Sequence, residues 1–250
     1  MQKSAEPERI QKVLARHGLG SRREIESWIS AGRISINGQK ARPGDKIARG
    51  DKVRLDGELL HLSPEKTART RILLYHKPAG EVTTRKDEKG RRTVFDSLPQ
   101  MRNGRWLNIG RLDINTSGLL MLTNDGELAH YLTHPSNEIE REYAVRVLGE
   151  VSKESLKILQ TGVQLEDGPA RFDSIFDAGG SGANHWYHVV IREGRNREVR
   201  RLWESQDVTV SRLIRVRFGP IQLPRDLKPG HYVELDRNEV NRYVTMIRHK

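Results

Sequence analysis

The N-terminal part of the chain combines helix-period and strand-period patterns. Apolar residues recur at helical spacing over residues 8–17, and glycines follow them, so a helix is predicted there. Ser21 and Glu24 have the spacing of a capping box, which predicts that a second helix begins at this point. The alternating stretch 34–38 ends in Asn-Gly and predicts a β-hairpin. We therefore expect a small α/β module over residues 1–62.

A polar stretch, residues 63–70, follows this module and has the composition of a linker. The remaining residues, 71–250, mix apolar strand patterns with amphipathic helix patterns, without a regular βαβ alternation. The predicted strands lie near residues 72–75, 106–109, 119–122, 143–148, 170–177, 186–192, 208–218 and 231–235. This arrangement predicts an α+β fold with a mixed, largely antiparallel sheet.

A short charged loop lies between two of the predicted strands. It contains Arg111 and Asp113, and apolar runs stand on both sides of it. A charge held between buried strands costs free energy unless it is paired. The spacing alone leaves two interpretations open. Asp113 either caps a turn at the end of a strand or takes part in chemistry.

A second charged cluster falls on a helix predicted for about residues 195–205. At about 100° per residue, Arg200 lies at the edge of the apolar face, whereas Arg197 and Arg201 point away from it. Arg200 is therefore the arginine best placed to reach a half-buried carboxylate such as that of Asp113. An arginine that lies at the core boundary with its head group in water fits the same spacing.

Charge narrows the class of partner. The 250 residues include 44 Lys and Arg against 33 Asp and Glu, which gives a formal net charge of +11. A basic surface of this kind favours a polyanion, nucleic acid first. The chain contains no cysteine, no secretory apolar core at its N-terminus and no apolar run near the roughly 20 residues that span a bilayer. We therefore expect a cytoplasmic protein without a membrane partner.

Two patterns in the sequence could indicate a metal or a phosphate-binding cofactor, but neither has the residues that such a site requires. His130 and His134 stand at i and i+4, but Pro135 ends the helix at once and no glutamate accompanies them. The glycine-rich stretch 179–182 lacks the Lys and Ser/Thr of a phosphate loop and predicts a hairpin tip instead. No dinucleotide fingerprint occurs. The prediction is no cofactor and no metal.

Four motifs of residues 8–60 carry a resemblance to the S4-like RNA-binding domain. They are Ser21-Arg22-Arg23-Glu24, Ala31-Gly32-Arg33-Ile34, Asn37-Gly38 and Pro43-Gly44-Asp45. The resemblance implies binding to structured RNA. The candidate contacts are cations on the two helices or at their ends, namely Lys12, Arg16, Arg22, Arg23 and Arg33. A charged helix face that is merely solvated fits the same distribution.

Three ordered blocks in the second part of the chain resemble the signature blocks of bacterial ribosomal pseudouridine synthases that carry an N-terminal S4-like domain. The blocks are Gly110–Asp113 with Thr116–Leu120, Arg141–Tyr143 and Glu193–Leu202. The resemblance implies a catalytic domain over residues 71–250 that isomerises uridine in ribosomal RNA without a cofactor. Residues 163–169 and 193–203 are most similar to members that act on the large subunit, which implies 23S rRNA. Members that act on 16S rRNA share the core blocks, so that alternative stays open.

The same resemblance implies roles for individual residues. Asp113 would act on a flipped-out uridine, either by attack at C1′ or by removal of a sugar proton. Tyr143 would stack on the base, and Arg200 would pair with Asp113. RNA contacts are expected from three further arginines, Arg111, Arg195 and Arg197. We expect a monomer. A non-catalytic RNA-binding protein of ribosome assembly and an enzyme that releases the base are the rival interpretations.

Overall fold

The computed structural model describes residues 6–62, 69–101, 104–149 and 151–248. The chain divides into two units. One comprises the described residues of Met1–Thr70 and Gln100–Trp106, and the other those of Arg71–Pro99 and Leu107–Lys250. Most of the predicted linker, 63–70, lies outside the described residues. None of the helices described is long and apolar enough to cross a membrane.

Two helices and six short strands form the first unit. The elements are β1 (Glu8–Arg9), α1 (Ile10–Arg16), α2 (Arg22–Ser30), β2 (Ile34–Ile36), β3 (Gln39–Lys40), β4 (Lys46–Ile47), β5 (Val53–Leu55) and β6 (Glu58–Leu59). Strands β3, β2, β5 and β6 form an antiparallel sheet in that order. The predicted capping box is confirmed, because the Glu24 amide donates to the Ser21 hydroxyl at 3.1 Å and the Ser21 amide donates to the Glu24 carboxylate at 3.2 Å.

The segment 100–106 belongs to the first unit, whereas the sequence pattern assigns it to the second. Gly18 has a φ of +84°, and a Cβ at this position would lie 2.9 Å from the carbonyl oxygen of Gly104. Two backbones therefore approach each other where both residues lack a side chain. A contact between backbones has no hydrophobic period, which is why the pattern misses it.

The second unit contains the longer elements. They are β7 (Ile72–Lys77), β8 (Leu107–Ile109), β9 (Ser117–Thr123), α3 (Gly126–Thr133), β10 (Arg141–Leu148), α4 (Lys153–Thr161), β11 (Val163–Leu165), β12 (Gly168–Ala170), β13 (Ser174–Ser181), β14 (Asn184–Ile191), α5 (Glu198–Glu204), β15 (Thr209–Phe218), β16 (Ile221–Gln222), β17 (Tyr232–Glu234) and α6 (Arg237–Arg248). Short 3₁₀ turns lie at Val94–Ser97 and Pro135–Asn137.

A mixed sheet organises this unit, as the sequence predicts. The main strand order is β13-β14-β10-β15-β9-β7-β17, with β16 paired to β15 and β8 paired to β9. All of these pairs are antiparallel except β15 with β9, which is parallel. Helices α3 and α6 pack against apolar residues of β7 and β9, among them Ile72, Leu119 and Met121, which are fully buried.

Two predicted elements differ from the observed ones. The single strand predicted near 170–177 is two strands, β12 and β13, with residues 171–173 between them. Helix α5 begins at Glu198 rather than near residue 195, because Arg197 has a left-handed φ of +48° that cannot continue a helix. Arg197 therefore precedes the helix and is not on one of its faces.

Candidate active site

Asp113 lies in the turn between β8 and β9, and this turn is closed by its own backbone. The Thr116 amide donates to the Asp113 carbonyl at 3.0 Å. Strand β9 begins just after the turn, and Gly118 in this strand has a φ of +106°. A Cβ on Gly118 would lie 2.3 Å from the carbonyl oxygen of Arg215. Glycine is thus required where the parallel pair of β9 and β15 forms beside the turn.

The side chain of Lys77 forms hydrogen bonds with backbone carbonyls of the Asp113 turn. Its side chain is fully buried. The ammonium donates to the carbonyls of Asp113 at 3.1 Å, Thr116 at 2.8 Å and Pro78 at 2.9 Å. Burial lowers the pKa of Lys77 to about 8, and the nearby carboxylates of Glu81 and Asp113 oppose that change. The ammonium thus fixes the backbone of the turn and places a positive charge close to the Asp113 carboxylate.

Lys77 is absent from the sequence-based candidates. The available signal is a lysine that directly continues the buried strand pattern of residues 72–75. A lysine in such a position is almost never fully buried unless it has partners. Its partners here are backbone carbonyls, which every sequence contains, so the sequence has no second residue that would reveal the interaction.

A cavity of about 520 Å³ opens above the turn. It brings together residues from all three signature blocks, namely Arg111, Asp113, Tyr143, Arg195 and Arg197. Tyr143 is 7 % exposed and lies on β10, directly opposite Arg215 of β15. Strands of the sheet and the loops that follow them thus line one pocket, which contains a carboxylate and an aromatic ring.

Arg200 does not line this cavity, and the predicted ion pair with Asp113 is not formed among the described residues. Its guanidinium instead donates to the carbonyl of Asn115 at 3.0 Å and to that of Val210 at 2.8 Å. Burial lowers the pKa of Arg200, and the positive charge of Arg197 lowers it to a smaller extent. The Asp113 carboxylate acts in the opposite direction and raises it. Arg200 therefore lies within electrostatic range of Asp113 and contacts the turn through its backbone.

The other two predicted arginines of this region already have acidic partners. Arg195 forms ion pairs with Asp167 at 3.0 Å, Glu193 at 3.0 Å and Glu198 at 3.2 Å. Arg197 forms an ion pair with Glu204 at 3.2 Å. RNA phosphates would have to compete with these carboxylates.

Three more arginines line the cavity, and none has a role in the sequence-based prediction. They are Arg192, which is exposed, and the buried Arg141 and Arg215. Arg141 is 8 % exposed and Arg215 is 1 % exposed. Burial lowers the pKa of Arg141, and the positive charge of Arg215 lowers it further, whereas Tyr143 opposes both. Charged residues at inward-facing strand positions are the signal that could have identified Arg141 and Arg215.

The candidate RNA-binding cations of the first unit fall into two groups. Lys12 and Arg16 form ion pairs with Glu8 at 3.0 and 3.1 Å, and Arg33 forms one with Asp56. Arg22 and Arg23 are exposed in the first turn of α2. Cations at a helix N-terminus are electrostatically unfavourable in isolation, and a bound anion removes that cost.

The comparisons with known proteins define the class. The model of the RNA pseudouridylate synthase family matches residues 71–205, and that of the S4 domain matches residues 8–53. The chain belongs to the RNA pseudouridylate synthase family. A crystal structure of a pseudouridylate synthase has a TM-score of 0.64 and 25 % sequence identity, and the match covers 94 % of this chain and 98 % of that one.

Two named bacterial proteins are more similar in sequence to this chain than the protein of that crystal structure is. The chain is 56 % identical over 235 residues to ribosomal large subunit pseudouridine synthase B of Pseudomonas aeruginosa, which covers 94 % of this chain and 61 % of that protein. It is 56 % identical over 236 residues to the protein of the same name from Escherichia coli K12, with 94 % of this chain and 81 % of that protein covered. The chain thus spans between three fifths and four fifths of these relatives.

Proposed function

We propose that this protein converts uridine to pseudouridine in 23S ribosomal RNA. The observation that carries the proposal is the position of Asp113, which lies in a cavity beside Tyr143 on a turn held by two buried cations. The relatives named for the large subunit support 23S over 16S rRNA. Such a protein works in the cytoplasm, where ribosomes are assembled. The proposed active form is a monomer.

The reaction breaks the C1′–N1 bond of uridine, turns the base and joins C5 to C1′. Its product has the composition of its substrate, so the reaction needs neither a redox cofactor nor an energy donor. Asp113 begins it, either by attack at C1′, as in covalent glycoside chemistry, or by removal of a sugar proton. Both steps require an ionised carboxylate, and the positive charges of Lys77 and Arg200 lie within electrostatic range of it.

The substrate uridine must leave its stack before it reaches the cavity. Tyr143 then stacks on the base. Arg111, at the cavity wall, fills the space that the base leaves or holds its phosphate. Arg200 acts as a positioning residue, because it contacts the Asp113 turn through the Asn115 carbonyl rather than through the carboxylate.

The two parts of the chain have separate tasks in this proposal. Residues 1–62 bind RNA, residues 63–70 connect the two domains, and residues 71–250 catalyse the reaction. The match of residues 8–53 to the S4 domain supports the first assignment. The proposed phosphate contacts are the helix cations Lys12, Arg16, Arg22, Arg23 and Arg33, and around the cavity Arg195 and Arg197.

Carbodiimide labelling with primer extension tests the activity. We expect a pseudouridine stop in 23S rRNA of the parent strain, none in a strain that lacks the gene, and recovery when the gene is returned. Asp113→Asn should fail to restore the stop, whereas Asp207→Asn, the same change at an exposed aspartate, should restore it. A stop that moves to 16S rRNA would refute the large-subunit assignment, and unchanged rRNA would favour the assembly role. Release of free uracil would indicate a base-releasing enzyme.

A further inference from the structure

Two buried arginines of the cavity lack the partners that buried cations normally have. Arg141 and Arg215 each place the guanidinium carbon 5.2 Å from the centre of the Phe218 ring. Neither forms an ion pair with a carboxylate among residues 6–62, 69–101, 104–149 and 151–248. The Glu198 carboxylate acts on Arg141 only at a distance, without an ion pair. Two buried guanidinium groups without an ion pair are costly for folding alone. Their presence in the cavity wall therefore favours a bound group that accepts hydrogen bonds or carries negative charge.

The hydrogen bonds identify which donor is left over. Arg141 is fixed by its Nη1, which donates to the carbonyls of Ile139 and Arg192 at 2.7 Å each. Arg215 is fixed by its Nε, which donates to the Leu119 carbonyl at 2.8 Å. The Nη2 of Arg215 is buried and has no hydrogen-bond acceptor in the described part of the chain. A guanidinium that lines the cavity thus has one donor without an acceptor among the described residues.

The position of Arg215 indicates which part of the substrate its Nη2 donor would contact. Arg215 is 1 % exposed and lies directly across the strand pair from Tyr143. A phosphate of the RNA backbone stays near the cavity mouth, whereas a flipped base enters far enough to stack on Tyr143. The carbonyl oxygens O2 and O4 of uracil are therefore the acceptors that best match Arg215.

The chemistry supplies the missing negative charge. When the C1′–N1 bond breaks, its electron pair moves into the uracil ring and is shared by N1, O2 and O4. C1′ either forms a bond to an Asp113 oxygen or becomes part of a C1′–C2′ double bond after Asp113 takes the C2′ proton. The ring then bonds to C1′ through C5. In the first route the bond between C1′ and the Asp113 oxygen breaks in this step, and in the second route Asp113 returns its proton to C2′. C5 then loses its proton, and N1 gains one. In both routes a uracil anion forms first.

We propose that Arg215, supported by the charge of Arg141, binds a uracil oxygen and stabilises the departing uracil anion. This inference rests on the proposed function. A fixed donor aimed at developing charge lowers the barrier because it is already oriented before the charge appears. Arg215 is in this sense a catalytic residue beside Asp113, and it acts on the leaving group rather than on the sugar.

The first test is single-turnover kinetics with the full-length protein and an rRNA fragment that contains the mapped uridine. Removal of one such donor typically costs about 10²-fold in rate, so we expect Arg215→Met to slow the step by about that factor. The RNA dissociation constant should stay within about threefold, because the donor acts mainly on charge that forms during the reaction. Arg146→Met, a change at an arginine on β10 outside the cavity, is the matched control.

The second test changes the leaving group. Fluorine at C5 makes the uracil anion more stable, so 5-fluorouridine at the target position should need less help from Arg215. We expect the ratio of wild-type to Arg215→Met rates, measured as loss of 5-fluorouridine after nuclease digestion, to fall about fivefold or more compared with uridine. Arg215→Lys carries the same comparison if Arg215→Met does not fold. An equal ratio for both bases would mean that Arg215 only supports the structure.

The outcomes separate the two proposals. If the wild-type protein forms no pseudouridine, the proposed function fails, and this inference fails with it. If the wild-type protein is active and Arg215→Met reacts at a similar rate, only the role of Arg215 is refuted.

Discussion

Replacement of Lys77 by methionine should separate the stability of the fold from the activity of the site. The pKa of Lys77 is lowered from 10.5 to about 8, and this corresponds to about 3 kcal/mol of destabilisation from the buried ammonium at neutral pH. Lys77→Met removes that cost. It also leaves the carbonyls of Pro78 and Thr116 without their lysine donor, at about 1–3 kcal/mol each. The two effects oppose each other, so the net change in the free energy of unfolding at pH 7 should lie between a gain of about 1 kcal/mol and a loss of about 3 kcal/mol.

The balance changes with pH in a defined direction. Between pH 8 and 10.5 the unfolded chain still carries the Lys77 proton, whereas the folded protein has lost it. Because the unfolded state then binds more protons, the Lys77 contribution makes the free energy of unfolding rise with pH in this window. It is constant below pH 8. The wild type should therefore gain up to about 3 kcal/mol relative to Lys77→Met between pH 7 and pH 10.

Urea denaturation of both proteins at several pH values from 7 to 10 measures this difference. Lys89→Met, a change at an exposed lysine, should show no pH-dependent difference from the wild type. A difference between wild type and Lys77→Met that stays constant over this range would refute the assignment of the lowered pKa to Lys77. The pseudouridine-forming rate at pH 7 should fall by about 10²-fold in Lys77→Met, because the Asp113 turn loses its support.

Three further substitutions test other parts of the protein. Arg200→Ala should lower kcat about tenfold or more through loss of the Asn115 contact, with partial recovery in Arg200→Lys. Full activity in Arg200→Ala would exclude a positioning role. Arg22→Gln combined with Arg23→Gln should reduce the slope of log affinity against log salt by about 1–2 if both contact phosphates, whereas an unchanged slope would exclude these contacts. Gly118→Ala should lower the free energy of unfolding by about 3 kcal/mol, far more than Gly80→Ala, where φ is also positive but no atom lies within 4 Å.

The sequence predicts those parts of the fold that depend on local spacing. The capping box at Ser21 and the mixed sheet follow from residues that lie close together in the chain or repeat with a fixed period. The contact of Gly18 with Gly104 does not, because it joins two backbones that are far apart in the sequence.

The same distinction applies to the site. The signature blocks identify Asp113 and Tyr143, which share one cavity in the structure. The predicted pairing of Arg200 with Asp113 is wrong for the described structure, because the guanidinium has a second set of acceptors, the backbone carbonyls, that a helical projection does not include. Lys77 escapes prediction for the same reason, since its acceptors are also carbonyls.

The carbonyl contacts of both cations have a consequence for the chemistry. A carboxylate that accepts two hydrogen bonds from one guanidinium has two of its lone pairs occupied, which makes it a weaker nucleophile and a weaker base. In this structure Lys77 contacts the Asp113 carbonyl and Arg200 contacts the Asn115 carbonyl. The two charges therefore lie close to Asp113 without occupying its side-chain oxygens. In this arrangement the cations contact backbone carbonyls of the turn, and in the described structure neither forms a hydrogen bond with the side-chain oxygens of Asp113. Those oxygens are therefore the atoms that the proposed reaction can use.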